Sequence, residues 1–176
     1  MDWGNDMGDI SEGAVHLSNS FYTGKTGYGV KSMLCTGAAW DSMLDFIKDS
    51  SHNVTSSTSW GNYYDSDTYK VYRGSLSSDY GDSWAAADTT NGSDVTKDTD
   101  ILLTTGATER NSSKNIYDVA GNCWEWTTEA SGTDDRVARG GNFDYICSRS
   151  PASGRNSYGP TGGYDYSFRP LLYVAL

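Results

Sequence analysis

Basic residues are scarce: 13 Lys and Arg stand against 23 Asp and Glu, a formal net charge of −10. Binding to nucleic acid or to an anionic membrane needs clustered cations to neutralise phosphate, so neither is expected as a partner. Long apolar runs are missing as well. No stretch approaches 18 residues, so no membrane insertion is expected, and Met1-Asp2-Trp3-Gly4-Asn5-Asp6 has neither the basic start nor the apolar run of a signal peptide. The three cysteines, Cys35, Cys123 and Cys147, are too few and too scattered for a disulfide framework or a CxxC metal site, and read as buried thiols. Only His16 and His52 are present, which rules out a histidine-rich metal site and leaves a Ser-His-Asp triad unsupported.

Aromatic residues are plentiful. With 6 Trp and 13 Tyr in 176 residues, rings stand in for a Leu/Ile/Val interior, which favours one loop-rich α+β domain over residues 1–176 with short strands. Ile10, Ala14, Leu17 and Phe21 recur at helical spacing, with Asp9 or Ser11 as N-cap and Gly24 as stop. Trp40, Met43, Leu44 and Ile47 predict a second helix over 36–48, capped by Thr36. Residues 50–108 predict loops and short strands pinned by buried rings at Trp60, Tyr63, Tyr64, Tyr69, Tyr72, Tyr80 and Trp84. Strands are expected at 123–127, 136–139 and 169–176, the last as a buried terminal strand.

Several short motifs dissolve on inspection. Gly24-Lys25-Thr26 lacks the earlier glycine of a phosphate loop, because Asn19 stands there, and reads as a turn. Asp65-x-Asp67 and Asp98-x-Asp100 lack the Gly and Glu of an EF-hand; a single structural Ca²⁺ on loop oxygens is left open, and no other cofactor is expected. Glu125 and Glu129 read as scaffold or solvated carboxylates rather than an acid/base pair.

The stretch 142–169 is different. About half of it is Tyr, Ser, Gly or Asn, the mixture that binding loops use, and Pro151, Pro160 and Pro170, all the prolines of the chain, lie in or beside it. Tyr145, Tyr158, Tyr164 and Tyr166 supply rigid amphipathic rings, and Asp144, Arg149 and Asp165 supply charge.

Upstream, Asp118-Val119-Ala120-Gly121-Asn122-Cys123-Trp124-Glu125-Trp126, then Arg136-Val137-Ala138-Arg139-Gly140-Gly141-Asn142-Phe143, then Ser167-Phe168-Arg169 occur in order, with Gly37-x-x-Trp40-Asp41 before them. This set resembles the formylglycine-generating-enzyme (sulfatase-modifying-factor) branch of the C-type lectin fold. The resemblance implies that Trp124, Trp126, Arg139, Gly140, Gly141, Phe168 and Arg169 hold a frame. We expect Trp124 and Trp126 on opposite faces of one strand. Oxidases of that branch carry two copper-binding cysteines, and the matching positions here are Tyr145 and Ser150, with Cys147 out of register, so the catalytic inference fails.

Within that branch, the end of the chain resembles the variable proteins of diversity-generating retroelements: Arg139-Gly140-Gly141, a block, Pro151-Ala152-Ser153 with Arg155-Asn156, a block, Pro160-Thr161, a block, Phe168-Arg169. Adenine-directed mutagenesis in that family cannot produce Trp, Lys, Glu, Gln or Met, and none occurs between Asn142 and Arg169. The resemblance implies a non-enzymatic, monomeric, hypervariable ligand-binding protein whose partner is a protein or cell-surface receptor, displayed on a virion or cell surface. The implied variable contact residues are Phe143, Asp144, Tyr145, Ile146, Cys147, Arg149, Ser150, Gly154, Ser157, Tyr158, Gly159, Gly162, Gly163, Tyr164, Asp165 and Tyr166. Two competitors remain: a copper-dependent relative of the formylglycine oxidases, and a calcium-dependent sugar lectin, although the sugar-binding triplets of such lectins are absent.

Overall fold

The computed structural model describes residue 3, residues 13–22 and residues 29–174. Helix α1 spans Ala14–Ser20, strand β1 Val30–Leu34 and helix α2 Gly37–Ile47. Short strands follow: β2 Tyr69–Val71, β3 Ser75–Ser77, β4 Ala85–Ala86, β5 Ser93–Val95, β6 Leu102–Leu103, β7 Ser112–Ser113 and β8 Ile116–Tyr117. The C-terminal third carries β9 Trp124–Ala130, β10 Arg136–Arg139, β11 Arg155–Tyr158, β12 Tyr166–Phe168 and β13 Pro170–Val174. Among the described residues this is an α+β architecture: two α-helices and many short, mostly antiparallel strands.

The sheet that positions the site has the order β11-β10-β9-β12, antiparallel except for the β9–β12 pair. A separate antiparallel pair, β1–β13, brings Val30 opposite Val174 and Leu34 opposite Pro170. Smaller ladders β2–β5, β4-β3-β6 and β7–β8 build the middle of the chain. No helix among the described residues is long and apolar enough to cross a membrane.

Helix α2 forms where its periodicity places it. The Thr36 side chain accepts the Ala39 N–H at 3.0 Å, and Trp40, Leu44 and Ile47 point inward. They pack with Trp60, Tyr63, Val119, Ala120 and Ala152 into one cluster. A second cluster holds Ala14, Leu34, Trp124, Trp126 and Ala138, and a third holds Val71, Val95 and Leu103. Removing a fully buried tryptophan such as Trp40 costs roughly 3–5 kcal/mol, a large part of the stability of such a domain.

The structure corrects four expectations. Trp124 and Trp126 lie in the same cluster, because side chains two apart on a strand share a face; it is Glu125, between them, that turns the other way toward Arg169. Strand β13 is half-buried to exposed, with Leu172, Tyr173 and Val174 open to solvent, since it pairs at an edge with β1, a strand the sequence did not announce. In helix α1 only Ala14 and Ser18 are buried, and Phe21 is exposed; Asp9, Ile10, Ser11 and the turn at Gly24 to Thr26 lie outside the described residues. Of the rings between 50 and 108, Trp60 and Tyr63 are buried as expected, whereas Tyr72, Tyr80 and Trp84 are exposed.

Candidate ligand-binding surface

The variable segment begins where β10 ends. Gly140 and Gly141 take φ values of +91° and +78°, which suit glycine, and a Cβ on Gly141 would collide with the Ser150 carbonyl. Tyr63 Oη donates to the Gly140 carbonyl at 3.0 Å, and the Gly121 N–H does so at 2.8 Å, so the turn is anchored from two sides. Just before it, Arg139 is buried and donates to Asp41 at 2.7 Å and to Glu129 at 3.4 Å. Arg155 reaches the same two carboxylates from β11, which ties the far end of the first loop to α2 and β9. Glu129 is therefore a scaffold group, and so is Glu125, whose two oxygens accept from Arg169 at 2.9 and 2.6 Å. Burial pushes the Glu125 carboxyl above its ordinary range, and the Arg169 guanidinium pulls it back.

The residues between the blocks are clamped inward. Ala152 is buried; its N–H donates to Ser57 Oγ and its carbonyl accepts from the Trp40 indole at 3.2 Å. The Ser153 N–H donates to the Val54 carbonyl, and the Gly154 N–H closes back on Pro151. Near the other end, the Trp3 N–H donates to the Pro160 carbonyl at 2.8 Å. Loops with few regular elements thus gain their shape from fixed contacts at their ends.

On this support the candidate contact residues divide into three groups. Tyr145 and Tyr164 are exposed at 40% and 54%, and Arg149, Ser157 and Gly159 are also open to solvent. Asp144, Ile146, Gly154, Tyr158, Gly162, Gly163, Asp165 and Tyr166 are partly buried. Phe143, Cys147 and Ser150 are inside, which corrects their assignment to a solvent-facing surface. Each has an interior reason. Phe143 lies under Tyr80 and Tyr164, Cys147 Sγ accepts the Ser57 N–H at 3.2 Å, and Ser150 sits against the Gly141 turn and receives Asn156 Nδ2. Cys35 is buried too, and Cys123 is partly so; all three thiols are free, and burial pushes Cys35 to about 11 and Cys123 to about 12.

The half-buried tyrosines stand on the frame tryptophans. Tyr166 stacks on Trp126 with ring centroids 4.6 Å apart, and Tyr158 meets Trp124 edge-on at 5.6 Å and Tyr166 at 5.6 Å. Tyr145 reaches the edge of Trp124 at 6.3 Å. Such pairs hold rings in place at little conformational cost. Beside them a shallow depression of about 310 Å³ is lined by Asp144, Tyr145, Ile146 and Arg149. Asn142, fully buried, donates through Nδ2 to both Asp144 and Asp165, which holds two carboxylates side by side. Burial raises both carboxyls above their usual range, and Asp165 adds to the rise at Asp144.

Two rings expected in the interior, outside the candidate site, join this surface. Tyr80 packs on Tyr164 at 4.5 Å, and exposed Trp84 comes from the same loop. They lie about 60 residues before the start of the variable segment, and the only signal was a pair of aromatics among turn formers. Neither Asp65-x-Asp67 nor Asp98-x-Asp100 forms a metal cage: Asp65 accepts the Cys147 N–H, Asp67 pairs with Lys97, and no three His, Cys, Asp or Glu converge among the described residues. His16 is exposed, and His52 is tied to Asp49 and the Ser112 carbonyl.

Fold and surface together define an α+β fold that presents small polar groups and tyrosine rings on a frame of tryptophans and arginines. No protein-family model matches the chain, and no curated protein matches it. A solved structure, Treponema denticola variable protein 1, is similar with a TM-score of 0.45 at 15% identity, over 82% of this chain and 48% of that one. This chain thus spans about half the length of that protein.

Proposed function

We propose that this chain is a variable protein of a diversity-generating retroelement, a binding domain with no catalytic role whose ligand is held by residues of the segment 142–169. One observation carries the reading: Ala152 and Arg155, between the variable blocks, are bonded into the frame, while Tyr145, Arg149, Ser157, Gly159 and Tyr164, within the blocks, face solvent. A surface of that kind changes its side chains without changing its support. Tyrosine rings already propped on Trp124 and Trp126 lose little freedom when they meet a partner, which is how paratope-like surfaces gain affinity. The partner is a protein or cell-surface receptor, and the domain acts as a monomer displayed on a virion or cell. An oxidase reading asks for paired soft donors, but position 145 is an exposed Tyr and position 150 a buried Ser.

The test is diversification itself. Randomising Tyr145, Arg149, Ser157 and Tyr164 together should leave most members folded, with melting temperatures within about 5 °C of the parent, and selection should return binders to unrelated proteins. The same treatment of Ala152, Arg139 and Trp124 should leave few folded members. If both libraries lose folding equally, the division into frame and surface is wrong. The DNA beside the gene should also hold a near-identical repeat with adenines at the variable codons and a reverse transcriptase.

A further inference from the structure

A cleft of about 320 Å³ opens at the edge of the variable surface. Two of its walls are exposed rings: Trp84, in the loop between β3 and β4, and Tyr164, in the last variable block. Leu102 and Leu103 back them, and Asp118, Asn122, Cys123 and Glu125 lie deeper. No Lys or Arg is among the lining residues. The polar groups differ in how far they are committed. Asn122 exchanges hydrogen bonds with the Leu103 backbone, and Glu125 is clamped through both oxygens by Arg169. Asp118 accepts one backbone N–H, from Gly106 at 2.8 Å, with the Asn111 amide beside it; burial pushes its carboxyl up, and the guanidinium that counters this is the one already taken by Glu125. Outside the cleft mouth, Tyr164 also feels Asp100, Asp144 and Asp165.

Ring faces carry negative charge density, and carboxylates reinforce it, so a slot walled by an indole and a phenol in such a field favours a cation over a neutral or anionic group. We propose that this cleft receives a lysine or arginine side chain of a protein ligand, its cationic head against Trp84 and Tyr164 and turned toward Asp118. The proposal rests on the reading of this face as a binding surface and adds the chemistry of one of its subsites. Trp84 and Asp118 lie outside the diversified segment, so a preference for basic groups would persist while the neighbouring blocks change.

The experiment uses the whole chain and blocked tripeptides, N-acetyl-Gly-X-Gly-amide, with X lysine, arginine or the neutral isostere norleucine. The readout is the Trp84 indole N–H resonance, assigned with Trp84→Phe. The lysine and arginine peptides should shift it with saturation on the order of millimolar, and norleucine should not. Asp118→Asn should weaken the basic peptides at least threefold; asparagine tolerates the positive φ of that position and keeps an acceptor for Gly106. Should that variant misfold, added salt gives the same information, since about 0.5 M NaCl should weaken the lysine peptide and leave any apolar contact intact. Equal shifts with norleucine would make the cleft a plain apolar slot and overturn the proposal. So would saturation by choline with silence from the peptides, or no movement of Trp84 at all. Binders selected from the randomised surface that leave Trp84 unmoved would sink this subsite while sparing the wider reading.

Discussion

At the scale of single residues, chemistry alike in sequence is put to unlike use. Tyr145, Tyr158, Tyr164 and Tyr166 are indistinguishable by local pattern, yet two are exposed and two rest on Trp124 and Trp126. Tyr145→Ala and Tyr164→Ala should therefore shift the melting temperature by no more than about 2 °C, whereas Tyr158→Ala and Tyr166→Ala should each cost roughly 1–3 kcal/mol by chemical denaturation. Equal losses at all four positions would mean that the exposed pair is also structural. The Glu125–Arg169 pair makes a second residue-level case. Arg169→Met leaves a buried carboxylate alone and should cost about 3–5 kcal/mol; adding Glu125→Leu should restore most of it, because a matched apolar pair needs no desolvation of charge. If the double variant is no better than the single one, the pair does more than neutralise itself.

Among elements, the loop from Ser77 to Trp84 shows how a flexible-looking segment is shaped. Asp79 accepts from the Ser77 hydroxyl, from the Ser83 N–H at 2.9 Å and from the Ser83 hydroxyl, and these bonds hold its carboxyl down at about 2. Its folded pKa lies below the ordinary Asp value, so the ordering it supplies is complete above about pH 5 and is lost progressively as the pH falls toward 2. Hydrogen exchange at the Ser83 amide should be slow at pH 5 and speed up, beyond the intrinsic pH effect, near pH 2. In Asp79→Asn that extra step should vanish; its survival would locate the ordering elsewhere. Helix α2 is the contrasting element, since its cap, apolar stripe and end are all written locally and it forms where the pattern places it.

For the whole molecule, the excess of acid is the dominant long-range term. A net charge of −10 repels itself, and raising the salt from about 10 mM to 150 mM shortens the screening length from about 30 Å to 8 Å, so the melting temperature should rise. Part of that strain is local. Asp144 and Asp165 share the Asn142 amide, and burial raises both carboxyls, so the folded state holds their protons more tightly than the unfolded chain does. The penalty is present at neutral pH and fades as the pH falls toward the ordinary Asp range. Asp165→Asn should thus raise the melting temperature by about 1–3 °C at pH 7 and by nothing at pH 3; a gain that persists at pH 3 would point to packing rather than charge.

By itself the sequence determined whatever rests on neighbours along the chain or on glycine and tryptophan in a dense motif: helix α2 with its Thr36 cap, strand β10, the Gly140–Gly141 turn, and the roles of Arg139 and Arg169 in the frame. The cap and apolar stripe of α2 are written in local periodicity, because those interactions span a few residues. Arg139 and Arg169, whose partners lie 98 and 44 residues away, were legible only through the resemblance of their motifs to a known family. Only the tertiary structure decided which tyrosines meet solvent, why Phe143, Cys147 and Ser150 turn inward, how β13 pairs with β1 at an edge, and that Tyr80 and Trp84 reach Tyr164. Exposure depends on contacts between segments as much as a hundred residues apart, and short-range pattern carries no record of which distant surface will lie above a given ring.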